Sequence, residues 1–207
     1  MAKRKVPEEY RRKLPHIQPG NAVFFVTFNL KGSLPAHIVD ILNEEYIDSK
    51  NSLLNNSKEK NDAYNNYKDQ IDDLLDYGKY GNHWLKDPAA AEIVCNSLYF
   101  LDGKEMKLIC YSVMSNHVHF VAYKLKKPLQ KIMHSLKSYT SKECNKKLHR
   151  KGSFWQREYF DRLVRDRNDL DKKIKYTINN PVKAGLVDHW KEHPYTYCRP
   201  EFLDTNF

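Results

Sequence analysis

The sequence predicts an α+β fold: a ferredoxin-like βαββαβ sandwich with an antiparallel sheet, a C-terminal helix, and a helical insertion after the first strand. Three observations carry this expectation. Four short runs rich in β-branched and aromatic residues are spread along the 207-residue chain. The two central runs are separated only by a Ser-Asn turn, as in a hairpin, and the stretches between the others show helical spacing of apolar residues.

The first strand is "VFFVTFNL", residues 23–30, whose β-branched and aromatic content suits a buried strand. From Pro35 to about Ala91 helical stretches follow, interrupted by "SKNSLLNNSKEKN", a polar, Asn-rich run read as a loop. "MKLICYSVM" (106–114) and "HVHFVAYK" (117–124) form the hairpin. A helix then carries Leu129, Ile132, Met133, Leu136, Thr140 and Cys144 as an inward stripe, and a strand is expected at about 159–165. The last helix should start after Asn168 as N-cap and run over 169–179, because Pro181 disfavours the α conformation at Asn180. No internal repeat and no second domain is visible, so residues 1–207 read as one domain with an insertion at about 48–90.

Composition removes several classes of function. No run of about 18 apolar residues exists, and the opening "MAKRKVPEEYRRKLP" lacks the apolar stretch of a signal peptide. A cytoplasmic protein with no membrane partner is expected. Cys95, Cys110, Cys144 and Cys198 form no CxxC pair and read as reduced thiols.

The net charge is +9, and its location is informative. Between Lys124 and Lys151 stand ten Lys/Arg and one acid, Glu143, while the remainder of the chain is balanced. Lys131, Ser135, Ser138, Lys142, Asn145 and Lys146 fall on the helix side opposite the apolar stripe, which suits contacts to phosphate oxygens as well as a plain solvated face.

The stretch "YSVMSNHVHFVAYK" places His117 and His119 one residue apart in a strand. Residues i and i+2 share a face about 6.5–7 Å apart, so two imidazoles can converge on one ion. A His-x-His pair alone is weak, since an unliganded surface pair is the common case. A second group lies about 60 residues on, in "RNDLDKKIKYTINNPVKAG". There Leu170, Ile174, Thr177 and Ile178 form the apolar stripe, and Tyr176 lies away from it, near Asn180 and Lys173. Tyr176 is thus a candidate nucleophile, and Asn180 a candidate oxygen ligand beside His117 and His119. Imidazole and carbonyl oxygen suit Mg²⁺ or Mn²⁺ when phosphate and water fill the other positions.

These residues carry a family resemblance. "VMSNHVHF", the basic "LQKIMHSLKSYTSKECNKKL", "GSFWQREYFDRLVRD" and "YTINNPVKAGLV" occur in order. Together they resemble the REP-associated tyrosine transposases, a branch of the HUH single-tyrosine transposases related to the IS200/IS605 enzymes. The opening "YRRKLPHIQPGNAVFFVTFNL" is similar too, so the likeness covers most of the chain. The histidine–hydrophobe–histidine motif matches His117, Val118 and His119, the nucleophile matches Tyr176, and the polar residue one turn later matches Asn180. Family members often have proline where this chain has Ser115, a change that should leave the ligands intact.

The resemblance implies a metal-dependent endonuclease and strand transferase acting on single-stranded, hairpin-bearing DNA such as REP-type repeats, through a 5′-phosphotyrosine, as a monomer or homodimer. Lys131, Lys137, Lys142, Lys146, Arg157 and Lys173 are the expected DNA contacts. Trp155, Phe154 and Tyr139 are candidate platforms for unpaired bases, each more often a core residue. Tyrosine's ordinary pKa near 10 requires help from an ion, from Lys172 or Lys173, or from water. Two other readings stay open: a DNA-binding module without catalysis, and a metal-dependent hydrolase that forms no adduct.

Overall fold

The computed structural model describes residues 9–11, 15–17, 22–52 and 57–203. The opening block of the family resemblance therefore lies partly outside the described residues, at 12–14 and 18–21. A short hairpin of β1 (Glu9–Arg11) and β2 (Pro15–Ile17) precedes the main sheet. That sheet contains β3 (Val23–Asn29), β4 (Lys107–Val113), β5 (His117–Tyr123), β6 (Phe160–Val164) and β7 (Thr196–Cys198). Its order is β6-β3-β5-β4-β7, with every neighbouring pair antiparallel. The first four strands give the expected ferredoxin-like order. β7 extends it at the β4 edge, and three residues are too few to show a period of two in the sequence.

Alternation along the strands sends side chains to two buried faces. Phe24, Val26, Phe28, Val118 and Phe120 meet α3 (Pro88–Leu101) and α4 (Leu129–Lys147). α3 starts sharply because the Asp87 carboxylate accepts from the Ala89 and Ala90 N–H groups at 2.9 and 3.1 Å, with Pro88 at the first helical position. The buried stripe of α4 is the one read from the sequence. Phe25, Ile109 and Val121, on the other face, are covered by Leu170, Ile174 and Ile178 of α5 (Arg167–Lys183).

α5 differs from expectation at both ends. Its N-cap is Asp166, not Asn168: Asp166 is extended and its carboxylate accepts from the Asp169 N–H at 2.9 Å. The helix also continues through Pro181 to Lys183. The preference against α geometry before proline is only a bias, and here Pro181 is buried while the Ala184 N–H still reaches the Asn180 carbonyl at 2.9 Å. Gly185, at φ +66°, ends the helix instead.

Between β3 and α3 the chain builds α1 (Ala36–Ser52) and α2 (Ser57–Tyr77), which pack together. The polar run read as a loop is helical on both sides of 53–56, which lie outside the described residues. α2 is pinned to the sheet on the α5 side. Tyr67 meets Phe160, and the buried Lys68 ammonium donates to the Asp161 carbonyl at 2.6 Å. Arg162 pairs with Asp69 and Asp72, and the Asn116 amide donates to the Leu75 carbonyl at 3.0 Å.

The turn after α2 holds a glycine that has no room for a side chain. A Cβ at Gly81, which has φ +72°, would lie 2.0 Å from the Gly32 carbonyl oxygen. Gly81→Ala should therefore lose about 3 kcal/mol in urea unfolding. Gly152→Ala, at φ +90° with open space around it, should lose only about 1 kcal/mol.

Candidate active site

His117 and His119 are fully buried on the sheet face that α5 covers, with ring centroids 4.5 Å apart. Each ring is oriented through Nδ1. The Asn116 amide nitrogen donates to Leu75, which leaves its Oδ1 to accept from His117 Nδ1–H at 2.7 Å. His119 Nδ1 pairs with the Thr27 hydroxyl at 2.9 Å, across the β3–β5 register. Such bonds fix which ring nitrogen is free to bind a metal, and here both Nε2 atoms are buried with no hydrogen-bond partner.

The atom nearest both is a carboxylate oxygen from α2. Asp76 Oδ1 lies 3.3 Å from His117 Nε2 and 3.5 Å from His119 Nε2. The Asn180 amide donates to the same oxygen at 2.6 Å, and the Asn180 Oδ1 is buried without a partner. On the other carboxylate oxygen, Oδ2, the Tyr176 hydroxyl donates at 2.8 Å and Lys183 Nζ at 3.1 Å. Lys183 also reaches Asp73 at 3.1 Å. Tyr176 packs edge-on against His119 and Phe25.

Burial, with the neighbouring His119 next, lowers the His117 pKa to about 4, so its imidazole is neutral near pH 7. With Nδ1 carrying the proton, its Nε2 lone pair faces a carboxylate oxygen. Lone pairs gathered in this way disfavour the site unless a cation lies among them. Burial raises the Asp76 carboxyl, and His117 and His119 hold it below the usual range only while their Nε2 atoms offer protons or positive charge to it. The Asp76, His117 and His119 donor atoms all fall within 4.8 Å of one another. Two imidazole nitrogens, a carboxylate and the unpartnered Asn180 oxygen could hold a divalent metal ion.

Tyr176 is not activated as it stands. Burial, and after it the Asp72 and Asp76 carboxylates, raise its hydroxyl above the ordinary tyrosine value. Positive charge placed beside the hydroxyl would offset this.

A family model described as "Transposase IS200 like" matches residues 77–180, half of the chain. The chain belongs to the IS200-like transposase family. A 60-residue stretch is 38% identical to a protein of Haemophilus influenzae described as a REP-associated tyrosine transposase, covering 27% of this chain and 34% of that protein. The match thus spans about a third of that relative's length. A solved structure titled "Structure of the REP associates tyrosine transposase bound to a REP hairpin" aligns over 91% of this chain and 81% of that one, with a TM-score of 0.46 and 15% identity. Among the described residues, no helix of this IS200-like chain is long and apolar enough to cross a membrane.

The structure brings His117, His119, Tyr176 and Asn180 into one cluster. Lys173 lies near it, half-buried, 5.1 Å from the Phe25 ring centre, with its pKa lowered first by burial. The α4 lysines Lys131, Lys142 and Lys146 are exposed, but α4 packs on the opposite face of the sheet. Lys137 donates to the carbonyls of Gln156, Arg157 and Glu158, whereas Arg157 itself is exposed. Phe154 and Trp155 belong to the core, the latter bonded to Thr140 at 2.9 Å, while Tyr139 is exposed. Tyr111 packs in the core on the α3–α4 face, opposite the histidines. Ser115, where proline is common, bonds His83 Nδ1 at 2.8 Å.

Sequence reasoning missed Asp76, Thr27, Asn116 and Lys183. Thr27 was detectable once β3 was paired with β5, because it stands opposite His119.

The His117 shift gives a pH dependence with a definite sign. The unfolded chain takes up a proton at His117 near pH 6.5 and the folded chain only near 4. Metal-stripped protein should therefore lose stability as pH falls through that window, by about 3 kcal/mol in all. Urea titrations at stepped pH check this, and His117→Asn should flatten the slope.

Proposed function

We propose that this protein is a metal-dependent single-stranded DNA endonuclease and strand transferase. It acts through a 5′-phosphotyrosine on Tyr176, on hairpin-bearing strands such as REP-type repeats. The observation that carries this reading is the shared carboxylate: Asp76 contacts both histidine Nε2 atoms through Oδ1 and holds the Tyr176 hydroxyl through Oδ2. Nucleophile and metal-ligand cluster are therefore adjacent, as phosphoryl transfer requires.

His117, His119, Asp76 and Asn180 would hold the ion. Bound there, Mg²⁺ or Mn²⁺ would supply Lewis-acid polarisation of the scissile phosphate and stabilise phenolate character at the tyrosine. The protein's own residues account for the remaining chemistry. Phe25 and His119 fix the Tyr176 ring, and Asp76 Oδ2 accepts the hydrogen bond of the proton that must leave. Tyr176 Oη forms a bond to phosphorus while the bond from phosphorus to the 3′ oxygen breaks; the phenol's proton passes to Asp76 Oδ2 or water, and a proton from water completes the 3′-hydroxyl. The phosphotyrosine keeps the phosphodiester's energy, so another strand's 3′-hydroxyl can reverse the step without ATP.

Affinity on this reading comes from basic surface, including exposed Lys131, Lys142, Lys146 and Arg157, and chemistry comes from the cluster. His117→Ala should abolish cleavage while leaving hairpin binding within about threefold by fluorescence anisotropy. Equal loss of both would contradict that division of labour.

The decisive variant is Tyr176→Phe, which removes one oxygen from a helix whose packing is otherwise kept. With Mn²⁺ and a labelled single-stranded hairpin substrate, cleavage and the covalent adduct on denaturing gels should fall together by at least about a thousandfold. Peptide mapping that locates DNA on Tyr111, Tyr139 or Tyr159 would overturn the assignment.

A further inference from the structure

Lys183 lies three residues beyond the segment that the family model matches, 77–180, and the resemblance attaches no role to it. It lies seven residues beyond Tyr176 in the same helix, on the same face at helical spacing. Its ammonium and the Tyr176 hydroxyl both donate to Asp76 Oδ2, which bounds their separation at about 6 Å. His117, His119 and Asn180 are almost fully buried, whereas the Lys183 side chain is 53% exposed.

Charge shows why a cation is needed there. A phosphodiester approaching Tyr176 meets the carboxylates of Asp72, Asp73 and Asp76. Asp72 is already paired with Arg162 of β6. On the Oδ1 side of Asp76 lie the prospective ion ligands. On the Oδ2 side, where the attacking oxygen sits, the cation in direct contact is Lys183. Lys173 stacks above Phe25 instead. Nζ and Oη are close enough for one phosphate group to meet both.

We infer that Lys183 is a catalytic residue of this site, leaving Asp76 to hold a non-bridging oxygen of the scissile phosphate beside Tyr176. The inference rests on the phosphotyrosine reading. A lysine keeps its charge throughout, so the role requires no proton transfer at Lys183. Its ammonium exchanges one anionic partner for another, and the interaction strengthens as charge grows on the phosphoryl oxygens. Releasing Asp76 Oδ2 from the ammonium also leaves that oxygen to the tyrosine.

A purely structural alternative is that Lys183 only steadies Asp76, and metal binding separates the two. Lys183→Gln should slow single-turnover cleavage of a saturating hairpin strand in Mn²⁺ by about 30-fold. Its DNA dissociation constant should stay within about twofold of wild type, and Lys183→Arg should recover to within about fivefold, since a guanidinium also binds phosphate. Mn²⁺ affinity, read by electron paramagnetic resonance without DNA, should be unchanged or tighter in Lys183→Gln. A Gln variant that cleaves within about threefold of wild type would overturn the role. So would Mn²⁺ affinity lost in step with the rate. Wild-type protein that forms no adduct would overturn the phosphotyrosine reading together with this one, whereas normal wild-type adduct formation with either earlier result would sink Lys183 alone.

Discussion

The Asp76 carboxylate is the constraint around which the site is arranged. It is nearly buried, and a buried carboxylate is tolerated only when its oxygens are matched by donors or cations. Asn180 and Tyr176 from α5 and Lys183 from the same helix supply three hydrogen bonds, and the two histidines approach from β5. The carboxylate thereby joins α2, α5 and the central strand at a single point. Removing it would leave two imidazoles, an amide and a phenol buried around a vacant centre.

Placing that carboxylate takes the C-terminal half of α2. Asp69, Asp72, Asp73 and Asp76 follow i, i+3, i+4, i+7 spacing, so one face of the helix is acidic. Arg162 on β6 takes the first two, Lys183 on α5 takes the last two, and Lys68 reaches a β6 carbonyl between them. Exposed ion pairs contribute little individually. The Arg162–Asp72 pair is largely desolvated, however, and a wrong register would strand it without a partner, so these contacts select one placement of α2 more than they strengthen it.

The sheet, α4 and the histidine pair were legible because each depends on a local signal: β-branched and aromatic content in β3, a short turn between β4 and β5, a six-residue stripe in α4, and an i, i+2 spacing at His117. Tyr176 stood out because it departed from its helix's apolar stripe. Asp76 was hidden for a different reason. An acidic helix face in a polar segment usually faces water, and only the tertiary docking of α2 shows that this one faces two histidines. The course of α5 was misjudged on similar grounds, because the local bias against helix before Pro181 is smaller than the packing of a buried proline and a site asparagine. The run at 49–61 looked like a loop for its Asn and Ser content, but a helix paired against a neighbour tolerates such composition.

A chain with nine excess positive charges nevertheless buries acids beside Tyr176. The basic excess lies in the segment containing α4, on the far face of the sheet, where it can attract nucleic acid without touching the chemistry. At Tyr176 the local field runs the other way and keeps the phenol protonated. A tyrosine held in this state would become reactive only with positive charge next to it, and on the proposed reading the Nε2 atoms of His117 and His119 and the exposed end of Lys183 are where such charge would be held. The basic α4 face and the acidic surroundings of Tyr176 thus carry opposite charge in the same fold, and the sheet lies between them.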